Sequence, residues 1–239
     1  MRKVFAWLVH LYTASGLLAA AGMAVLIVRG GDASFRSAFV LMVVATAIDA
    51  TDGWLARKAR VKDVLPHVDG RTLDDVTDFH TYTSLPLLLV WRAHVLPDQF
   101  AWVLLLPLLA SAYGFSQTAA KTADGFFLGF PSCWNAVAFY LYVLTPSTWS
   151  AVSVVVFFSL LTFVPSRYLY ASRGGPFATF IVVGGVIWAL IVLAILGRPA
   201  GQREALGLIS LIYPVAYLGL SWAVTIRQLK PKPFVAIPR

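Results

Sequence analysis

Four aspartates carry spacing that could do chemistry. Asp49 and Asp52 are three residues apart, and Asp74 and Asp78 are four apart. Residues at i, i+3 and i+4 share a helix face, so each pair offers two carboxylates to one side. Gly53, Ala56 and Arg57 continue the first face at i+4, i+7 and i+8 from Asp49. The two small residues let a flat or bulky group come close to the backbone. Arg57 adds a planar fork suited to phosphate oxygens. If the two helices are neighbours, four carboxylates converge with a formal charge of −4. Hard divalent cations bound through oxygen, Mg²⁺ or Mn²⁺, answer that charge, and two would balance it. Paired metals suit clamping a pyrophosphate and stabilising an in-line displacement at phosphorus.

The surroundings make these acids stand out. Seven of the 11 Asp and Glu residues (Asp49, Asp52, Asp63, Asp69, Asp74, Asp75 and Asp78) fall in this one stretch. Asp63, Asp69 and Asp75 read as solvated residues at helix ends. The chain has 239 residues, 59% of them apolar and only 13% charged, with a mean hydropathy of +0.77. A soluble domain of this length carries about 25% charged residues. Composition therefore predicts an all-α, polytopic integral membrane helix bundle, one domain over residues 1–239. Carboxylates beside membrane-grade segments are costly unless paired or metal-bound, which marks them as functional. The net charge of +8 does not point to nucleic acid, because the basic residues alternate with apolar spans. The lone cysteine, Cys133, reads as a buried, inert thiol. His10, His67, His80 and His94 have no i, i+4 pairing that would suit zinc.

About eight apolar segments approach the length needed to cross about 30 Å of hydrocarbon. They cover residues 5–28, 36–56, 73–91, 100–120, 131–146, 149–170, 177–197 and 205–228. The first is read as a span rather than a cleaved leader. The fifth opens on Pro131, a favoured first helical residue. Pro107 and Pro214 fall inside spans and are expected to kink them. Gly174-Gly175-Pro176 and Gly197-Arg198-Pro199 break neighbouring helices. With the N-terminus in the cytoplasm, 14 Lys and Arg lie inside, among them Lys121, Arg167 and Arg173, and 5 lie outside. That asymmetry predicts both termini and the acidic stretch at the cytoplasmic face. A short tail at 229–239, with Lys230 and Lys232, is expected to meet anionic headgroups. Thr72 is the expected N-cap of the helix carrying Asp74 and Asp78.

The pattern Asp49-x-x-Asp52-Gly53-x-x-Ala56-Arg57, followed by Gly70-x-x-x-Asp74-x-x-x-Asp78, resembles the signature of the CDP-alcohol phosphotransferases. All eight defining positions are present. Twelve residues separate Arg57 from Gly70, more than most members have. That longer spacer, the segment Phe126–Ser132 and Trp134-Asn135 resemble the bacterial branch of the family that uses choline. The resemblance implies CDP-diacylglycerol and choline as substrates, phosphatidylcholine and CMP as products, and a bacterial inner membrane. It implies Asp49, Asp52 and Asp74 as metal ligands, with Asp78 as general base and further ligand. Gly53, Ala56, Arg57, Gly70 and Asp52 would form the CDP site. A homodimer is also implied.

Choline carries a fixed cation that cannot donate from nitrogen, so an aromatic pocket suits it. Tyr82, one turn beyond Asp78, is the first candidate, ahead of Trp134, Tyr168, Tyr113 and Tyr140. Asn135 offers a polar group inside a span, to a ligand, a neighbouring helix or its own backbone. Two other readings stand beside this one. The same chemistry could use serine, glycerol 3-phosphate or inositol phosphate. An acidic-site cation transporter fits less well, because such sites lie near the bilayer midplane.

Overall fold

The computed structural model describes residues 1–118, 120, 122, 125–170 and 177–229. Lys121, Arg173, the Gly174-Gly175-Pro176 break and tail residues 230–239 lie outside the described residues. Helix α1 (Arg2–Arg29) and helix α2 (Asp32–Lys58) form a close pair joined by Gly30-Gly31. A short helix α3 (Val61–Val64) follows, and its Val61, with Leu65, packs under Ala6 and Val9 of α1. Helix α4 (Gly70–Asp78) runs through a π-helical turn (Phe79–Ser84) into α5 (Leu85–Arg92). A 3₁₀ segment (Asp98–Leu104) leads into α6 (Leu105–Ser116). Then come β1 (Phe126–Leu128), α7 (Trp134–Leu144), α8 (Thr148–Leu161), β2 (Arg167–Leu169), α9 (Ala178–Leu196), α10 (Ala200–Ser210) and α11 (Ile212–Leu229).

Among the described residues, five helical stretches are long and apolar enough to cross a membrane: Arg2–Arg29, Asp32–Lys58, Asp98–Ser116, Ala178–Leu196 and Ala200–Arg227. Large apolar side chains such as Leu18, Leu109, Leu160 and Leu190 are exposed around the bundle. That is a lipid-facing surface, since water would not tolerate so large an apolar area. The core lies where α2, α5, α7 and α8 meet, around Phe39, Leu89, Trp134, Val155 and Tyr168.

Several boundaries differ from the sequence expectation, with a physical cause for each. Pro131 does not open a helix; α7 begins at Trp134. The segment 149–170 is helical only to Leu161, and Arg167–Leu169 is strand. The fold is therefore not wholly helical, because β1 and β2 pair antiparallel, with Phe127 opposite Tyr168. Gly129, just after β1, has a φ of +78°, and a Cβ there would collide with the Thr162 carbonyl oxygen at the end of α8. Pro107 and Pro214 are each the third residue of their helices, α6 and α11. Each also lies inside a membrane-length stretch, Asp98–Ser116 or Ala200–Arg227, where the helix changes type or breaks just before it. The π turn sits just before Pro86, which cannot donate to the Tyr82 carbonyl; the Ser84 hydroxyl instead donates to the Phe79 carbonyl at 3.1 Å.

Non-helical backbone within a membrane bundle must have its polar groups satisfied by protein. Helix α11 does this for the outer edge of β2. Tyr217, Ser221 and Thr225 lie four residues apart on one face of α11. Thr225 Oγ1 accepts from the Arg167 N–H at 2.9 Å, Ser221 Oγ from the Leu169 N–H at 3.2 Å, and the Tyr217 hydroxyl donates to the Leu169 carbonyl at 3.0 Å.

Candidate active site

Helix α2 carries Asp49 toward its C-terminal end, and α4 carries Asp74 and Asp78 one turn apart. The two helices are held by α1. Gly16 of α1 leaves space for the Thr77 methyl, which would stand only 2.6 Å from a Cβ at that glycine. Thr77 is buried and β-branched, so α4 sits at a fixed depth against α1. Carboxylate oxygens of Asp49, Asp74 and Asp78 all lie within 4.8 Å of one another, and the three side chains are half-buried. Two like charges at such a distance repel by about 3 kcal/mol at an effective dielectric of about 20. The group offers oxygen donors only, with no histidine or cysteine in it. That donor set fits a hard divalent cation and not zinc in a thiolate or imidazole site.

Asp52 is buried, and it lies outside this three-carboxylate group. Three residues turn a helix by about 300°, so Asp52 leans roughly 60° away from Asp49. Arg57 folds back along α2, with its Nη1 3.3 Å from where a Cβ on Gly53 would stand. Ala56 packs against the cluster under α3, and Gly70, the first residue of α4, rests on the His10 ring. Asp69, rather than Thr72, caps α4. Its carboxylate accepts from the Arg71 N–H at 3.0 Å, the Thr72 N–H at 3.3 Å and the Thr72 hydroxyl at 2.8 Å. The Thr72 hydroxyl, with those two amides, holds the Asp69 carboxyl below the usual range.

Next to the carboxylates is a cavity of about 200 Å³. Asp49, Asp75, Asp78 and Arg71 line its polar side, and Tyr82, Phe115, Phe127, Tyr170 and Tyr217 line much of the rest. Gly53, Ala56 and Arg57 are not part of its wall. Asp75 is not a solvated helix-end residue: it lines the cavity and pairs with Arg71 at 3.5 Å. Arg71 also reaches the Gln117 carbonyl at 3.4 Å and so ties α4 to the end of α6.

Of the expected choline residues, Tyr82 lines the cavity, and its hydroxyl donates to Asp49 Oδ2 at 2.8 Å. Trp134 and Tyr168 are fully buried in the core instead. The Trp134 indole N–H donates to Ser111 Oγ at 3.0 Å, and the Tyr168 hydroxyl accepts from the Trp222 indole at 3.3 Å. Tyr113 stacks against Phe163, and Tyr140 bonds Ser210 and Trp188. Asn135 bonds both a neighbouring helix, through Thr46 at 3.3 Å, and its own backbone at Ala136. Phe115, Phe127, Tyr170 and Tyr217 escaped sequence reasoning. The only signal near them was the Phe126–Ser132 segment.

A bundle of membrane-length helices that carries this signature and gathers three of its four carboxylates defines an enzyme of the CDP-alcohol phosphotransferase type. No protein-family model matches the chain. It is 31% identical over 220 residues to the phosphatidylcholine synthase of Borreliella burgdorferi, covering 91% of this chain and 93% of that one. It is 33% identical over 210 residues to that of Pseudomonas aeruginosa, covering 87% of each. With that of Legionella pneumophila it shares 39% over 170 residues, 70% of this chain and 66% of the relative. The chain belongs to the bacterial phosphatidylcholine synthase family.

Proposed function

We propose that this protein transfers the phosphatidyl group of CDP-diacylglycerol to choline, giving phosphatidylcholine and CMP. The observation that carries the proposal is the convergence of Asp49, Asp74 and Asp78 beside an aromatic cavity. Asp49, Asp74 and Asp78, with Asp52 one turn along α2, would hold one or two Mn²⁺ or Mg²⁺ ions. Bound there, such ions would neutralise the pyrophosphate and stabilise the departing CMP. Gly53, Ala56, Arg57 and Gly70 receive the CDP group, with Arg57 forking to phosphate oxygens. Asp78 takes the proton of the choline hydroxyl. The freed oxygen forms a bond to the phosphorus that carries diacylglycerol, and the bond from that phosphorus to CMP breaks. Tyr82 holds the Asp49 carboxylate in orientation through its hydroxyl.

The whole chain, 1–239, acts as one membrane-embedded domain. It crosses the membrane eight times, a reading supported by the five long spans, the two shorter apolar helices α7 and α8, and the Gly70–Arg92 run. Both termini and the site lie at the cytoplasmic face of the bacterial inner membrane, in keeping with the basic residues Arg57, Lys58, Arg60, Lys62 and Arg71 around it. The protein works as a homodimer.

The test uses purified protein in vesicles containing CDP-diacylglycerol and Mn²⁺, with each alcohol supplied in turn. CMP release with choline is expected. Release with serine, glycerol 3-phosphate or inositol phosphate, and none with choline, overturns the reading.

A further inference from the structure

The cavity wall is built from four places far apart in the chain. Phe115 comes from α6, Phe127 from β1, Tyr170 from the residue after β2, and Tyr217 from α11. Tyr82 adds a fifth ring from the π turn. Two of the three tyrosine hydroxyls are committed to protein acceptors: Tyr82 to Asp49 and Tyr217 to the Leu169 carbonyl. Those two rings and the two phenylalanines therefore present aromatic surface rather than hydrogen-bonding groups. The cavity of about 200 Å³ is smaller than the roughly 300–1,000 Å³ sites of drug-sized ligands. Asp49, Asp75 and Asp78 outnumber Arg71 on its polar side, which favours a small cation.

The chemistry of that wall discriminates among cations. A primary ammonium held against those rings gives up hydrogen bonds to water, which is costly where the carboxylates, Gln117 and Ser132 do not replace them. A quaternary ammonium has no N–H to satisfy and is attracted by the ring faces. We propose that Phe115, Phe127, Tyr170 and Tyr217 form the trimethylammonium pocket, so that the β1–β2 pair and α11 set the selectivity for quaternary over primary amino alcohols. This rests on the phosphatidyl-transfer reading above and adds the acceptor-selecting side chains to it.

The experiment measures KM and kcat for choline and for ethanolamine in the vesicle assay. Phe127→Leu and Tyr170→Leu are each expected to raise the choline KM about 3- to 30-fold, the span that loss of one cation–π contact gives. KM for CDP-diacylglycerol should stay put, and the choline-to-ethanolamine ratio should fall in parallel. Phe127→Tyr, which keeps the ring, should recover most of the loss. Trp102→Leu, a lipid-exposed aromatic outside the cavity, is the control with no change in choline KM. A second measurement needs no variant. Tetramethylammonium should inhibit the unmodified protein competitively with choline, well below the concentration at which methylammonium does. Equal inhibition by the two ions overturns the pocket. Choline KM and selectivity within twofold in both leucine variants overturn it too, while leaving phosphatidyl transfer standing. Absence of CMP release with choline in the unmodified protein overturns the underlying reading instead.

Discussion

Asp32 opens α2, and Asp49 lies 17 residues further along the same helix, about 25 Å away at roughly 1.5 Å per residue. Each belongs to a polar cluster, and the two are built differently. Asp32 is met by the Arg203 guanidinium at 2.6 and 2.8 Å in a bidentate pair. It also accepts from the Tyr142 hydroxyl, and Arg36 Nε stands 3.1 Å away as a charge contact. Arg36 in turn donates to the Leu196 carbonyl at the end of α9 at 2.9 Å. Opposite charges there close the packing of α2, α7, α9 and α10 upon itself. At the other end three carboxylates crowd together, with oxygens within 4.8 Å. The first arrangement lowers the energy of the folded protein alone. The second gathers three carboxylates into a set of oxygen donors that a cation could share. The contrast is between opposite charges paired within the fold and like charges gathered beside a cavity.

Three substitutions would break or sharpen this contrast. Asp78→Asn has the largest expected effect. It should lower turnover by about 10²–10⁴-fold, the usual worth of a general base, with less effect on thermal unfolding than Asp32→Asn. Near-full turnover, followed as CMP release, would remove Asp78 from the base role. Asp32→Asn should do the reverse. The Arg203 side chain is 6% exposed and would keep its charge without a counter-ion. Removing a buried partner costs about 3–5 kcal/mol, and the half-exposed Asp32 scales this to about 2 kcal/mol. Thermal unfolding in detergent should show that loss with choline KM unchanged; an unchanged midpoint would mean the cluster does not brace the fold. Tyr82→Phe is the smallest. It removes one hydrogen bond to Asp49, worth about 1 kcal/mol, so kcat should fall roughly fivefold. A variant with unaltered kcat would show that Asp49 needs no such orientation.

The legible parts of the site were the local ones. Asp74 and Asp78 at i, i+4, and Asp49 on the preceding helix, could be placed together because helical period alone decides which residues share a face. Asp52 shows the coarseness of that rule, since an i+3 neighbour is turned away enough to leave the group. Asp69 outcompeted Thr72 as cap because its carboxylate satisfies two amides and a hydroxyl at once. Five membrane-length stretches were legible from hydropathy, with Pro107 and Pro214 inside two of them. What no local pattern could supply was the cavity wall. Phe115 and Tyr217 are 102 positions apart, and the strands that bring Phe127 near Tyr170 are three residues each. So short a strand has no readable alternation; its pairing is decided by the tertiary partner on α11.

That partner has a consequence in time as well as space. Proteins fold largely from the N-terminus as the chain is synthesised. Residues 49–78, with all the clustered acids, are made early. The outer edge of β2 finds its acceptors and donor only when Tyr217, Ser221 and Thr225 arrive on α11, the last helix described. A nascent chain halted before α11 therefore owns its acid cluster but lacks Tyr217 and the bonds that hold the outer edge of β2. The site comes into being in two instalments, and the second arrives with α11.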